Sequence, residues 1–165
     1  MSFIKFAKVN ENAVIPSKRR EDAGYDIYPC FEQRCMIIFP HETKMIPTGI
    51  ASACSEDYFF VLKERGSTGT KGIAQRAGII DSGYRGEWFV PITNTSDSHA
   101  LVIGKAEVCD EYKTRNDVVF YPYEKAICQA VPLPVCGIQE EIVTYDELMA
   151  IKSERGTGAL GSSNK

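Results

Sequence analysis

A chain of 165 residues that is 44% hydrophobic is long enough to bury one sizeable core, and a second domain is not expected. Its net charge of −3 excludes the broad cationic face that holds a nucleic-acid duplex, yet leaves room for a small anionic ligand gripped by two or three local cations. No apolar run reaches the roughly 20 residues of a membrane span, and the opening MSFIKFAKVN lacks the apolar centre of a signal peptide, so a cytoplasmic location with no membrane partner is expected.

In chain order, β-branched and aromatic runs broken by Gly, Pro, Asp and Asn predict short strands at 3–9, 25–31, 36–40, 43–51, 58–64, 86–94, 101–108, 118–123, 126–135 and 139–145. That pattern makes the fold all-β: a sandwich, a barrel or a jelly roll. Prolines 40, 47, 91, 122, 132 and 134 lie inside or beside these runs, so several strands should be edges, bulged or short. Only EDAGYD near the start and YDELMAIKSE near the end could hold a helical turn. Residues 95–120 are polar and charged and read as an inserted hairpin or loop, and 154–165 (ERGTGALGSSNK) have no core-forming pattern. The expected organisation is therefore a β domain over 1–153 and a flexible glycine-rich lid over 154–165. Six cysteines with no CxxC pair and two isolated histidines read as reduced, mostly buried thiols, not as a disulfide framework or a zinc site.

Five stretches place polar side chains among glycines where a core strand needs neither. EDAGYDI carries Asp22 and Asp26, ERGSTGTKG carries Arg65, Ser67, Thr68 and Lys71, and AGIIDSGYRGEW carries Asp81 and Tyr84. AICQAV sets Gln129 inside an apolar strand, and ERGTGALGSS carries Arg155 with Ser162 and Ser163. Glycine turns expose backbone N–H groups that converge on phosphate oxygens, and Arg and Ser add charge-assisted bonds, so two such segments point to a polyphosphate. Neither is a GxxxxGK[ST] loop, and no strand followed by a long helix surrounds them. Taken singly, each stretch is an ordinary loop, Gln129 a satisfied strand amide, and Asp26 or Asp81 a turn residue bonding nearby N–H groups.

In this order, from residue 23 to 163, the five stretches resemble the motifs of the trimeric dUTPases. A-G-Y-D-I matches the first motif, R-G-S-T-G the second, A-G-I-I-D-S-G-Y-R-G-E the third, I-C-Q the fourth and R-G-T-G-A-L-G-S-S the fifth. The resemblance implies a jelly-roll-like distorted barrel assembled as a homotrimer, with sites at subunit boundaries and dUTP as substrate. It implies that Asp81 is the catalytic carboxylate that activates water against the α-phosphorus, releasing dUMP and pyrophosphate. Backbone groups at Gly78, Ile79 and Ile80 would meet the uracil edge, with Gln75 in support. Tyr84 would lie under the deoxyribose and exclude a 2′-hydroxyl, and Leu160 would cover the base. Arg65, Gly66, Ser67 and Gln129 would hold the α and β phosphates, while Arg155, Gly161, Ser162 and Ser163 would close over the γ end. Asp26 would contact Mg²⁺ through water.

Four departures stand against the family pattern. Gly66 replaces a hydroxyl residue after the arginine, leaving Ser67 or Thr68 to supply it. Lys125 and Ala126 stand where a G-D-R segment is usual, and Leu160 replaces an aromatic that would stack on the base. The spacer from Tyr84 to Gln129 is also long, placing 95–120 as decoration or, alternatively, as a surface for a protein partner. The deoxycytidine triphosphate deaminase resembles this chain around A-G-x-I-D. It needs a glutamate on the strand after the hairpin, where this chain has Pro91. A silent nucleotide-binding regulator is the other rival, and it would have no use for a water-orienting carboxylate.

Overall fold

Ile50, Ser52 and Cys54 are buried while Ala51 and Ala53 between them are half-buried, the two-residue period of a strand with one face on a core. The same physics runs through the computed structural model of the chain, which describes residues 2–158. Two compact units are formed, Met1–Val135 and Cys136–Lys165. Composition predicts a boundary at 153; the first unit ends at Val135 because 139–145, read as a strand, pairs with no other strand among the described residues.

The first unit holds β1 (Ile4–Lys8), β2 (Tyr25–Ile27), β3 (Cys35–Ile38), β4 (Thr43–Pro47), β5 (Ile50–Cys54) and β6 (Tyr58–Lys63). These are followed by α1 (Gly66–Gly69), β7 (Ile73–Gln75), β8 (Ile79–Ile80), β9 (Phe89–Asn94), β10 (Ala100–Gly104), α2 (Cys109–Lys113), β11 (Val118–Pro122) and β12 (Cys128–Pro134). They pair as four small sheets, ordered β1-β5, β11-β10-β3, β2-β12-β6-β8 and β4-β9-β7, an all-β architecture of the jelly-roll kind. Trp88, Phe60, Ile27, Ile46, Ile92 and Ile103 are fully buried at its centre. Phe60 and Phe6 meet the Trp88 ring with centroids 5.1 and 5.9 Å away.

One expectation fails for an identifiable reason. Residues 95–120 are not an inserted hairpin: β10 and β11 run parallel, with Leu101 paired to Val119 and Ile103 to Tyr121, and Leu101, Val102 and Ile103 are core residues. Parallel neighbours cannot be joined by a tight turn, so the polar residues 105–117 make the crossover, as a 3₁₀ turn (Ala106–Val108) running into α2. Pro47 and Pro122 end edge strands, β4 and β11, as expected of several prolines, whereas Pro91 is on β9, the middle strand of its sheet. Its register with β7 begins only at Ile92 opposite Gln75, so no N–H is required of Pro91 on that side. Pro132 and Pro134 do follow the rule, because β2 pairs with β12 only through Ala130 and leaves that side open beyond it.

EDAGYD forms a turn into β2, not a helical one, closed by Asp22 N–H donating to the Arg19 carbonyl at 3.2 Å. In the second unit, α3 (Tyr145–Ala150) begins at a capping box. Glu147 N–H donates to Thr144 Oγ1 at 3.3 Å, and Thr144 N–H returns to the Glu147 carboxylate at 2.7 Å. Three of the six cysteines, Cys30, Cys54 and Cys128, are buried; Cys136 is exposed.

Candidate active site

Register brings the first cluster together. Asp26 on β2 stands opposite Gln129 on β12, which stands opposite Lys63 on β6, and the chain passes from β6 directly into Arg65 and α1. Cross-strand neighbours on one face lie about 5 Å apart, so a carboxylate, an amide and a guanidinium converge. Arg65 grips Asp26 through two nitrogens, Nε to Oδ1 at 3.0 Å and Nη2 to Oδ2 at 3.3 Å, and its Nη1 donates to the Ala126 carbonyl at 3.3 Å. Gln129 Nε2 donates to the Glu64 carbonyl at 3.0 Å, which fixes the amide plane and leaves its second N–H and its oxygen uncommitted among the described residues. A Cβ on Gly24 would come within 3.0 Å of that oxygen, so glycine is the residue that lets β2 approach the amide. The result is an open cleft of about 700 Å³ lined by Asp26, Arg65, Gly66, Ser67 and Gln129 and, on its outer wall, by Lys18.

The turn at 65–69 also settles which hydroxyl faces the cleft. Thr68 is fully buried, its Oγ1 accepting from Arg65 N–H and donating to the Arg65 carbonyl, both at 3.0 Å, so it is spent on the turn itself. Ser67 is exposed and lines the cleft, and a side chain at Gly66 would meet nothing within 4 Å. Under the turn lies Tyr121, 2% exposed, whose hydroxyl donates to the same Ala126 carbonyl at 2.6 Å and neighbours Ser67 and Arg65. Burial pushes the Tyr121 phenol above its ordinary range. The thiol of Cys128, next to Gln129, is raised further by burial and stays an inert core group.

The second cluster, 75–87, is shaped by backbone. Ala77 and Gly78 both have positive φ, 54° and 107°, and the bend they make is braced from inside by Gln75, whose Nε2 donates to the Ala77 carbonyl at 3.2 Å. Gln75 is 8% exposed, so it supports the bend and offers little surface to a ligand. Leu62 N–H donates to the Gly78 carbonyl at 2.8 Å, and Ile79 and Ile80 then pair with Val61 and Phe60. Since β8 is the last strand of its sheet, one row of its peptide groups stays unpaired. A turn closed by Tyr84 N–H on the Asp81 carbonyl at 3.1 Å holds Asp81 exposed, with no side-chain hydrogen bond among the described residues. Tyr84 is 44% exposed, and its hydroxyl donates to the Glu87 carbonyl at 3.1 Å. Arg85 and Glu87 do not pair with each other: Arg85 donates to the Ser82 and Tyr84 carbonyls, and Glu87 accepts from Gly49 N–H at 2.8 Å.

Both clusters use one sheet, the first at the Lys63 end of β6, the second on β8, which pairs with β6 only at Phe60 and Val61. Asp81 continues β8 past the residue that faces Phe60, while Arg65 lies beyond the opposite end of β6, so at about 3.3 Å per residue the two stand on the order of 16 Å apart along the strands. One subunit therefore joins Asp26, Arg65, Ser67 and Gln129 but not Asp81 or Tyr84 to them. Arg155 belongs to the second unit, is exposed, and donates from Nε to the Gly158 carbonyl at 2.8 Å. Leu160, Gly161, Ser162 and Ser163 lie outside the described residues. Tyr121 was not legible as a site residue, because VVFYPY reads as a plain core strand and nothing local says where its hydroxyl ends.

Comparison with known proteins gives one answer. A family model described as dUTPase matches residues 10–109. A deoxyuridine 5′-triphosphate nucleotidohydrolase of Nautilia profundicola is 33% identical over 166 residues, covering 98% of this chain and 99% of its own. Another, of Leptospira interrogans, is 32% identical over 99 residues, 58% of this chain and 68% of its own. Among solved structures, a Staphylococcus bacteriophage 80alpha dUTPase with dUpNHpp shares the fold at a TM-score of 0.74 and 23% identity, covering 98% of both chains. A dUTPase from phage phi11 of S. aureus, described with a coordinated structural Mg(II) ion, matches with a TM-score of 0.66 at 22% identity over 86% of this chain and 96% of its own.

Proposed function

This chain belongs to the dUTPase family, and from that premise we propose that it hydrolyses dUTP to dUMP and pyrophosphate. The observation that carries the proposal is the cleft in which three separate segments bring Asp26, Arg65, Ser67 and Gln129 together around space for a polyphosphate. In this reading Arg65, the Gly66 and Ser67 N–H groups and the Ser67 hydroxyl hold the α and β phosphates as ready-made donors, and Gln129 adds the second N–H of its amide, the first being spent on the Glu64 carbonyl. Arg155 and the tail with Gly161, Ser162 and Ser163 close over the γ end.

Asp81 supplies the base. Its carboxylate takes a proton from a water whose oxygen forms a bond to the α-phosphorus, while the bond from that phosphorus to the α,β-bridging oxygen breaks and pyrophosphate leaves with the electron pair. Tyr84 packs beneath the deoxyribose, and the unpaired peptide groups of β8 around Gly78 to Ile80 read the uracil edge. Because the two clusters stand apart within a subunit, one site takes its phosphate cleft from one chain and its Asp81 hairpin from a neighbour, as a homotrimer with sites at subunit boundaries requires.

The donor set suits Mg²⁺ carried in on the substrate. Among the described residues no three His, Cys, Asp or Glu side chains gather as a cage. Asp26 gives one lone pair of each oxygen to Arg65 and keeps the others, with which it would hold Mg²⁺ through water. When bound, Mg²⁺ supplies charge neutralisation on the phosphate oxygens. The test is pyrophosphate release from dUTP, UTP, dTTP and dCTP, with and without Mg²⁺. Release from dUTP alone, strongest with Mg²⁺, is expected, and ammonia from dCTP would overturn the reading in favour of the deaminase.

A further inference from the structure

Three cations line the cleft, Lys18, Arg19 and Arg65, against two carboxylates, Asp22 and Asp26. Two of the cations are already matched. Arg65 is held by both oxygens of Asp26, and Arg19 by both oxygens of Asp22, Nε to Oδ2 and Nη2 to Oδ1, each at 3.0 Å. Arg19 N–H adds a third bond to Asp22 at 3.0 Å, so the 19–22 turn is latched shut and its carboxylate is occupied. Lys18 differs: its Nζ donates to two carbonyls, Asp22 at 2.6 Å and Arg19 at 3.3 Å, and lies 5.6 Å from the centroid of the Tyr25 ring. Carbonyls and a ring face fix the ammonium in place without cancelling its charge, and they use two of its three donors among the described residues.

The position of the backbone says which wall this is. Ser17 bridges to Asp26, with Asp26 N–H donating to the Ser17 carbonyl at 3.0 Å, so Lys18 follows along the outer side of β2. Gln129 and the 65–67 turn lie on the other side of β2. Resting on the polyphosphate reading of this cleft, we infer that Lys18 is a further phosphate-contacting residue. Its ammonium meets non-bridging oxygens of the bound phosphates from the wall opposite Arg65 and Ser67, and the Arg19–Asp22 pair keeps that wall in shape. A polyanion held between cations on facing walls is favoured over the same ligand held from one side, and the uncancelled charge also raises its encounter rate.

The experiment compares the full chain carrying Lys18→Arg, Lys18→Gln and Lys18→Met in two readouts: pyrophosphate release from dUTP, and calorimetric binding of inorganic tripolyphosphate. Gln keeps hydrogen-bond donors for the carbonyls, on a chain one bond shorter, and removes the charge, so with Arg as the charge-retaining control it separates phosphate contact from a mere loop tie. Loss of the contact is expected to raise KM about tenfold in the Gln and Met variants, with kcat within about twofold, while Arg stays near wild type. Tripolyphosphate affinity should fall by a similar factor, and the gap should close as salt rises. Wild-type KM and tripolyphosphate affinity in the Gln variant would overturn the assignment. A wild-type chain that releases no pyrophosphate from dUTP, but whose tripolyphosphate binding still depends on the charge at Lys18, would overturn the proposed activity and leave Lys18 standing.

Discussion

Arg65 is tied down on every side, by two contacts to Asp26 and one to the Ala126 carbonyl, whereas Asp81 is exposed and makes no side-chain hydrogen bond among the described residues. In the cleft each holding side chain is itself held, Arg65 by Asp26 and the Ala126 carbonyl and Gln129 by the Glu64 carbonyl; in the 75–87 segment Gln75, Tyr84, Arg85 and Glu87 brace the backbone and leave one bare carboxylate exposed. The contrast matches the roles proposed for each. A group that holds a developing charge works best when its orientation is already fixed. A base needs its lone pairs free for water until the moment of reaction.

The comparison breaks most visibly at Asp81. Asp81→Ala should lower kcat by about 10³-fold and leave affinity for a non-hydrolysable dUTP analogue within about threefold, since the cleft does the holding. Mixing that variant with one carrying Asp26→Ala sharpens the point. Each alone is inactive, but if a site draws its two clusters from different chains, random co-assembly leaves about one site in four intact. Recovery of activity on mixing is expected, and its absence would place both clusters of a working site on one chain.

Next in size is Gly78→Ala, which tests how far the 75–87 segment depends on the bend at Ala77 and Gly78. The added Cβ would lie 2.6 Å from Gln75 Nε2 and 2.8 Å from Leu62 Cβ, at a φ of +107° that L residues rarely adopt. A stability loss of about 2 kcal/mol is expected in denaturant unfolding. Catalytic efficiency toward dUTP should fall while tripolyphosphate still binds as in wild type, because nothing at Gly78 touches the cleft.

How much of this was readable in advance differs between the two regions in the same way. The positions proposed to hold phosphate, Asp26, Arg65, Ser67 and Gln129, stand out in local motifs, and the structure brings them into one cleft. What surrounds them was not readable. Lys18 lies in a run of charges, Tyr121 reads as core and Thr68 as an equal of Ser67; the partners of Lys18 and Thr68 come from local turn geometry that residue type does not reveal, and only tertiary packing brings Tyr121 and Arg65 to one carbonyl. In the hairpin the opposite holds: its shape was hidden, since β7 and β8 have three and two residues, too few for a period to be read. The 139–145 run shows propensity losing to capping, because Thr144 and Glu147 spell a helix start at the end of an apolar stretch. Residues 95–120 were misread because parallel pairing leaves no turn signature in the sequence.

Tyr121→Phe carries the smallest effect and probes the cleft from below. The Tyr121 hydroxyl and Arg65 Nη1 share the Ala126 carbonyl, at 2.6 and 3.3 Å, so removing the hydroxyl loosens one anchor of the guanidinium without touching a ligand. Loss of one hydrogen bond is worth about 1 kcal/mol, or roughly fivefold in KM for dUTP, with kcat unchanged. A pH profile separates this from general softening. Burial raises the Tyr121 phenol in the folded chain, so the fold binds that proton more tightly than the unfolded chain does. The associated stability is present below the unfolded tyrosine range, near pH 10, and is lost as pH rises through the higher folded value. Alkaline unfolding of the wild type should therefore fall off more steeply above about pH 10 than that of Tyr121→Phe. Equal slopes would mean that the hydroxyl is not the buried, bonded group that steadies Arg65.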